Sequence, residues 1–227
     1  MRYSVTLSVL GIILIATGAL QGRWLIPALW LGGNFLALGI AHGMGASRIF
    51  GKRAGGSLAP WAWLAFLPLL ALSSAVWHLS RLLTRESAHN SVTENLIVGR
   101  RLLASELPRK FDNYVDLTAE FAEPRAIRRQ PGYVCFPILD GGVPTPEALR
   151  EAISRLQPGT TFVHCAQGHG RTGLFALAVL LSSGIAKDVE EGLQMLRNVR
   201  PGIRLNRDQR LCIEEFAADP LRRPSSP

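Results

Sequence analysis

The chain has 227 residues, of which 48% are hydrophobic and 19% are charged, and its formal net charge is +8. This composition excludes a disordered or collagen-like chain, and three widely spaced cysteines argue against a disulfide framework or a CxxC site. The positive charges are scattered, without a basic stripe that carries aromatic residues, so the sequence argues against nucleic-acid binding. The acidic residues divide the chain in two, because all 17 lie at or after Glu86, whereas all five Trp lie before residue 80.

Three apolar segments precede the first acidic residue. Residues 3–20, 24–41 and 58–79 contain no Asp, Glu, Lys or Arg, and each is close to the roughly 20 residues that cross the hydrocarbon core of a bilayer. The first segment is longer than a usual signal peptide, which argues against cleavage, and all three lack the polar face of a soluble helix. We therefore predict three transmembrane helices within a multi-pass membrane anchor over residues 1–85.

Smaller features of this region agree with a membrane anchor. Trp24, Trp61 and Trp77 lie near the predicted span ends, where aromatic rings favour the headgroup boundary. Gly39 and Gly43 have the GxxxG spacing that lets two membrane helices approach closely. Basic residues flank the spans in nearly equal numbers on the two sides, so they do not fix the orientation.

The polar remainder is predicted to be a compact α/β domain over residues 90–218, with a central sheet flanked by helices. Short apolar runs predict strands, and helix-start signals predict amphipathic helices. The strand candidates are residues 95–98, 114–117, 134–138 and 161–164, and the helix starts are Thr145 with Pro146, Asp188 with Glu191, and Asn206. Residues 219–227 are predicted to be a flexible tail.

The strongest chemical signal is the segment His-Cys-Ala-Gln-Gly-His-Gly-Arg-Thr-Gly at residues 164–173, between a predicted strand and an apolar helix. A sharp strand-to-helix turn directs successive backbone N–H groups into one concavity, and the helix N-terminus adds positive potential. Gly168, Gly170 and Gly173 allow close approach of the backbone to an anion and of the helix to its neighbours. The segment therefore predicts an anion cradle.

Two side chains give this cradle a chemistry. The N–H groups and the helix dipole favour the thiolate of Cys165, which makes it a candidate nucleophile. Arg171 brings a planar fork that binds two phosphate oxygens together, and Thr172 can donate a hydrogen bond to the thiolate. A buried core thiol and a surface cation are the alternatives for Cys165 and Arg171, whereas Cys135 and Cys212 are interpreted as inert core thiols.

These residues resemble the HCxxGxxRS/T signature of the cysteine-based protein tyrosine phosphatase superfamily. Its five specified positions are matched by His164, Cys165, Gly168, Arg171 and Thr172. The resemblance extends over about 125 residues, is closest to the dual-specificity branch, and does not include the three apolar segments. It implies that His164 orders a phosphate-binding loop. The loop consists of Ala166, Gln167, Gly168, His169, Gly170 and Arg171.

A cysteine phosphatase also needs an acid that protonates the leaving group. The resemblance and the spacing both indicate Asp140, which lies 25 residues before Cys165 in a loop that contains Gly141 and Gly142. Asp116 is the rival acid, but it falls inside a predicted strand, where a structural or substrate-shaping role is expected. A turn-capping role is the alternative for Asp140.

The resemblance implies a phosphomonoester phosphatase that forms a phosphocysteine intermediate and uses no metal or other cofactor. Two substrate classes are left open. One is phosphoproteins that carry phosphotyrosine, phosphoserine or phosphothreonine, and the other is phospholipid headgroups. The lipid bilayer is the expected partner of the anchor. A protonated His169 would add positive charge for a polyanionic headgroup. Because a catalytic thiolate stays reduced more easily in a cytosol, the catalytic domain is predicted to be cytoplasmic. The alternative function is a phosphate-binding pseudophosphatase or interaction module at the membrane.

Overall fold

The computed structural model describes residues 2–21, 25–107 and 110–218. The chain divides into two compact units, an N-terminal one up to Leu83 and a C-terminal one from Thr84, except that Ala119–Ala122 belongs to the first and Ala54–Gly56 to the second. Trp24 and the predicted tail at 219–227 lie outside the described residues. The main boundary between the units lies beside Glu86, where the composition of the chain changes.

Within the described residues, the N-terminal unit contains four apolar helices. They are α1 (Arg2–Gln21), α2 (Leu25–Met44), α3 (Pro60–Ala65) and α4 (Leu67–Leu83). By length and composition, Tyr3–Leu20 in α1 and Ile26–Met44 in α2 can cross a bilayer, and only 11% and 22% of these two stretches are buried. The core helix of a soluble protein is mostly buried, so this low burial distinguishes α1 and α2 from core helices.

Small residues allow α1 and α2 to pack closely. A Cβ atom on Gly11 would lie 2.7 Å from the carbonyl oxygen of Gly32, and a Cβ atom on Gly39 would lie 2.8 Å from the backbone nitrogen of Ser8. The hydroxyl of Ser4 donates a hydrogen bond of 2.7 Å to the carbonyl oxygen of Gly39. The close helix approach predicted from the spacing at Gly39 is therefore present, because any larger side chain there would collide with the α1 backbone.

The third predicted span is not a single helix. It is divided at Phe66, where the backbone leaves helical geometry (φ −109°, ψ 17°), and Pro68 just beyond cannot donate a helical hydrogen bond. The Ala65 carbonyl at this break accepts hydrogen bonds from Trp30 Nε1 at 2.8 Å and from Asn34 Nδ2 at 2.9 Å. Because the resulting α4 has only 17 residues, three full-length transmembrane helices are not confirmed.

A five-stranded mixed sheet lies at the centre of the described part of the C-terminal unit. Its strands are β1 (His89–Ser91), β2 (Leu96–Arg100), β3 (Asn113–Thr118), β4 (Tyr133–Ile138) and β5 (Thr161–Cys165). They lie in the order β1-β2-β5-β3-β4, with β1 antiparallel at one edge and the other four strands parallel. The C-terminal ends of the four parallel strands therefore meet at one edge of the sheet, where α/β proteins bind their ligands.

Helices flank this sheet, and together with connecting segments they cover both of its faces. They are α5 (Arg125–Arg128), α6 (Pro146–Ser154), α7 (Gly170–Ser182), α8 (Val189–Val199) and α9 (Arg207–Ala218), with a 3-10 helix at Ala104–Glu106. Val98 and Val163 belong to the main core around α7, whereas Ile97 and Phe162, one residue earlier on each strand, belong to a second core on the opposite face. This alternation is what a sheet covered on both faces requires.

The predicted α/β arrangement, a mixed sheet with flanking helices, is confirmed. Thr145, Asp188 and Asn206 each accept a hydrogen bond from the backbone N–H three residues later, at 3.2, 2.9 and 2.8 Å. These contacts satisfy free N–H groups at the starts of α6, α8 and α9. The short elements β1 and α5 had no predicted counterpart, because three or four residues carry too little periodicity to detect.

Candidate active site

The connection between β5 and α7 is a sharp turn at the edge of the sheet where the parallel strands end. β5 ends at Cys165 and α7 begins at Gly170. Gly168 within this turn has a φ of +78°, and a Cβ atom on it would lie 2.7 Å from the backbone nitrogen of Arg100 in β2. Both the left-handed backbone and the close approach to β2 therefore require glycine at this position.

The candidate nucleophile lies where this turn begins. Cys165 is 4% exposed, and its sulfur accepts a hydrogen bond of 3.3 Å from the N–H of Gly168. The positive end of the α7 dipole adds to the stabilisation of negative charge at the turn. The predicted bond from Thr172 to Cys165 is not formed, since the buried Thr172 hydroxyl has no hydrogen-bond partner among the described residues. The hydrogen bond to the Cys165 sulfur comes from the Gly168 N–H instead.

The structure brings Arg171 and Asp140 together. The Arg171 side chain is 1% exposed, its Nη1 donates a hydrogen bond of 3.0 Å to the carbonyl oxygen of Ile138, and its Nη2 lies 3.2 Å from Asp140 Oδ1. The Asp140 side chain is 86% exposed. The structure therefore places the buried guanidinium and the exposed carboxyl side by side, and these are the two groups that the sequence predicts to bind phosphate and to act as the acid.

Asp116, the rival acid, has a structural environment. It is fully buried in β3, where Oδ2 accepts a hydrogen bond of 2.6 Å from the Tyr133 hydroxyl and Oδ1 accepts two from Thr118. Burial first, and then the charge of Asp116, raises the pKa of Tyr133, so its hydroxyl remains a proton donor. These bonds hold Asp116 inside the sheet and favour Asp140 as the acid.

Asp116 also belongs to the one cluster in the described chain whose residues could hold a metal ion. The potential ligand atoms of Asp116, Glu123 and His164 lie within 4.8 Å of one another, and all three residues are buried. Glu123 accepts a hydrogen bond of 2.6 Å from Arg101 Nε, and Asp116 accepts those described above. Each carboxylate therefore accepts at least one hydrogen bond from a protein donor, as in a buried hydrogen-bonded network.

His164 lies on the opposite face of β5 from Cys165. It is fully buried, its ring stacks on Phe162 at a centroid distance of 5.6 Å, and its Nδ1 lies 3.3 Å from the carbonyl oxygen of Cys165. This position fits the expected role in ordering the loop, because the ring contacts the backbone beside the nucleophile rather than its sulfur.

The remaining loop residues differ in what their backbones and side chains contact. The Ala166 carbonyl accepts a hydrogen bond of 3.3 Å from the Arg101 N–H. His169 precedes α7, and its Nε2 lies 2.7 Å from Glu86 Oε2. Gly170 opens α7, and a Cβ atom on it would lie 3.3 Å from the side-chain oxygen of Gln209.

Arg200 is a site residue that the sequence analysis did not identify. Its side chain is 2% exposed, and it donates hydrogen bonds to the carbonyl oxygens of Gly168 at 2.9 Å and Gln167 at 3.0 Å. Burial lowers the pKa of Arg200, whereas the negative charges of Glu86 and Cys165 oppose that shift. The only local signal was the Arg-Pro-Gly sequence after α8, which marks a helix end without indicating what the Arg contacts.

The loop that carries Asp140 is held by the start of α9. Asn206 Nδ2 donates a hydrogen bond of 2.8 Å to the Gly141 carbonyl, and Gln209 Nε2 donates one of 3.2 Å to the Gly142 carbonyl. The sequence predicted Asn206 as a helix cap, and the structure adds this second contact. Both side chains therefore hold the two residues that directly follow the candidate acid.

The other two cysteines lie outside this arrangement. Burial is the first cause that raises the pKa of Cys212 to about 11, followed by the charges of Glu215 and Glu147. Its sulfur donates a hydrogen bond of 3.3 Å to the Pro144 carbonyl. Cys135 lies in β4, and all three cysteines are free thiols. Cys212 is thus a protonated core thiol, as expected.

Solved structures with the same fold are phosphatases or related proteins. Tk-PTP in its active form is 24% identical with a TM-score of 0.52, and the match covers 57% of this chain and 96% of that one. PTPMT1 in complex with PI(5)P is 15% identical with a TM-score of 0.51 and coverages of 58% and 95%. A variant of human DUSP28 is 16% identical with a TM-score of 0.51 and coverages of 58% and 94%.

No protein-family model matches the chain, and no curated protein does. The solved structures confirm the fold that the resemblance implies, because they share it with this chain over 57–58% of its length. More than a third of the chain lies outside these matches.

Gly168→Ala should lower the free energy of unfolding by roughly 1–3 kcal/mol more than Gly184→Ala. Gly184 is a matched control, because its φ is +69° and a Cβ atom there would meet nothing within 4 Å. Both variants carry the strain of a left-handed alanine, but only the first also collides with β2. Denaturant unfolding of the full chain measures the difference, and equal losses at the two positions would contradict the steric argument.

Proposed function

We propose that the chain is a membrane-anchored phosphomonoester phosphatase that works through a phosphocysteine intermediate. The observation that supports this most directly is the placement of Cys165, Arg171 and Asp140 around one strand-to-helix turn, with Asp140 Oδ1 3.2 Å from Arg171 Nη2. The Gly168 N–H bonded to Cys165 Sγ joins the nucleophile to the same turn. A module that only bound phosphate would not need an acid at this place.

The proposed first step is in-line attack of the Cys165 thiolate on phosphorus. The S–P bond forms while the P–O bond to the leaving group breaks, and Asp140 gives its proton to the departing oxygen. Arg171 and the backbone N–H groups of the turn stabilise the equatorial phosphoryl oxygens. In the second step water attacks the phosphocysteine, Asp140 accepts the proton, and inorganic phosphate and the thiolate are released.

Phosphoproteins and phospholipid headgroups both fit this chemistry, because each presents a phosphomonoester to the nucleophile. A membrane-held enzyme meets lipid substrates at a high local concentration, which favours phospholipid headgroups as substrates. Among the proteins of the same fold, PTPMT1 is known in complex with PI(5)P. A panel of phosphoinositide vesicles and phosphopeptides, compared by kcat/KM, distinguishes the two classes.

The exposed apolar side chains of α1 and α2 support the proposed membrane anchor. Ile12 and Ile13 are 56% and 55% exposed, and Ile26 is 76% exposed. Such side chains contact water at a cost of about 25 cal/mol per Å² in a soluble protein, whereas lipid removes that cost.

We further propose that the C-terminal unit is cytoplasmic, since a reducing compartment preserves the thiolate. A reporter fused after residue 227 tests on which side of the membrane the C-terminal unit lies.

Cys165→Ser should abolish hydrolysis of p-nitrophenyl phosphate by the full chain in detergent, with a fall of at least about 10³-fold, because a hydroxyl is a far weaker nucleophile than a thiolate. Cys212→Ser is the matched control and should retain activity within about twofold, since that thiol lies in the core. Steady-state assays of both variants measure the effect. Activity that survives Cys165→Ser would overturn the mechanism.

Asp140→Asn should lower kcat by about 10²-fold for alkyl phosphates and by less for p-nitrophenyl phosphate, whose leaving group needs little protonation. Asp116→Asn should lower the unfolding temperature instead, because Tyr133 and Thr118 lose a charged acceptor. Rates across a series of leaving groups measure the contrast. A stronger leaving-group dependence in Asp116→Asn would reassign the acid.

Ile12→Arg should reduce membrane insertion of the full chain several-fold, because a charged side chain near the centre of a membrane helix costs about 2.5–3.5 kcal/mol. Ile12→Leu is the matched control and should insert like the wild-type protein. The fraction that resists alkaline carbonate extraction measures insertion. If Ile12→Arg is as resistant as Ile12→Leu, α1 does not cross the bilayer.

A further inference from the structure

Glu86, at the start of the C-terminal unit, contacts the candidate phosphate loop but has no part in the mechanism above. Its Oε2 lies 2.7 Å from His169 Nε2 and 3.0 Å from Arg200 Nη2. One carboxylate oxygen thus bridges an imidazole within the 165–171 loop and a guanidinium that binds the loop. In the sequence, Glu86 follows the last residue of α4, Leu83, by only three positions.

The loop needs support from outside because of its own backbone. When its N–H groups point toward an anion, its carbonyl groups point away from it and require other donors. Arg200 supplies these donors, with hydrogen bonds to the carbonyl oxygens of Gln167 at 3.0 Å and Gly168 at 2.9 Å. The shape of the cradle therefore depends on where Arg200 is held.

Arg200 is in turn held by the segment that begins at Glu86. Its Nη1 donates hydrogen bonds of 2.9 Å to the Ser87 carbonyl and to Asn90 Oδ1, and its Nη2 contacts Glu86. The guanidinium is 2% exposed, and a buried cation without acceptors and a counter-charge is strongly unfavourable. Glu86 provides that counter-charge.

We propose that Glu86 is a positioning residue for the phosphate loop, acting through Arg200 and His169. This inference deepens the proposed function and rests on it. The direction in which removal of the Glu86 charge changes oxyanion binding identifies the role of Glu86. If Glu86 were only a nearby negative charge, its removal would strengthen the binding of an oxyanion. If Glu86 positions the loop, its removal weakens binding although a repulsive charge has gone.

The test compares the full chain in detergent with Glu86→Gln and with Glu94→Gln, which removes the same charge from an exposed position. Inorganic tungstate serves as the tetrahedral oxyanion, and calorimetry measures its Kd. We expect Glu86→Gln to raise the tungstate Kd and the KM for p-nitrophenyl phosphate about tenfold together, the size of one lost charge-assisted hydrogen bond. We expect kcat to change less than about threefold, because the loop holds ground state and transition state alike.

Glu94→Gln should leave both constants unchanged, and Glu86→Asp, which keeps the charge, should lie closer to wild type than Glu86→Gln. Tungstate binding by Glu86→Gln that equals or exceeds wild type would overturn the inference. If Glu86→Gln does not fold, Asn90→Ala removes another acceptor of Arg200 and should raise the tungstate Kd about threefold; an unchanged Kd would overturn the inference.

The outcomes separate this inference from the proposed function. Weakened tungstate binding in Glu86→Gln, without hydrolysis of any phosphomonoester by the wild-type chain, would refute the phosphatase and retain the positioning role. Hydrolysis by the wild-type chain, with unchanged tungstate binding in Glu86→Gln, would support the phosphatase and refute the positioning role. A wild-type chain that does not bind tungstate would refute both.

Discussion

The outward-facing carbonyl groups of the 165–171 loop are the constraint on which the candidate site depends. A backbone that turns its N–H groups toward one anion must satisfy its carbonyls elsewhere. Gly168 makes the turn possible through its positive φ and its closeness to β2, and the buried Arg200 binds the carbonyls of Gln167 and Gly168. The positions of Cys165 and Arg171, at the two ends of the loop, therefore depend on these contacts.

Two aspartates illustrate how the fold gives the same side chain different roles. Asp116 is enclosed by β3 and by hydrogen bonds from Tyr133 and Thr118, which hold it in place. Asp140 is exposed and lies beside Arg171, two residues after the end of β4, the strand that pairs with β3. Tyr133 and Thr118 occupy the oxygens of Asp116, whereas Asp140 lies beside the Arg171 guanidinium, so their contacts separate the proposed acid from the structural carboxylate.

The N-terminal unit exposes apolar side chains and packs its helices through small residues. Its helices present large apolar side chains outward and use Gly11, Gly32 and Gly39 for close contact between α1 and α2. At the break after Ala65, indole and amide donors from Trp30 and Asn34 satisfy the carbonyl oxygen. The proposed membrane anchor would need such internal donors at a helix break, because a bilayer core supplies no water to bind the carbonyl oxygen.

Features that depend on residues close together in the chain could be predicted from the amino-acid sequence. The composition change at Glu86, the caps at Thr145 and Asp188, and the compact Cys165-to-Arg171 motif are all local, so their spacing could be interpreted directly. Even the failure of the third predicted span has a local element, since Pro68 cannot donate a helical hydrogen bond.

The distant residues that support the loop become visible when the chain is folded. His169 meets Glu86 across 83 positions, and Arg200 meets the Ser87 carbonyl across 113. The order of parallel strands and the return of the chain after α8 create these contacts. No periodicity or motif in the sequence indicates these contacts, because each partner by itself is an ordinary polar residue. Its role arises from its neighbours in the fold, which are the outward-facing carbonyl groups of the loop and the buried Arg200 cation.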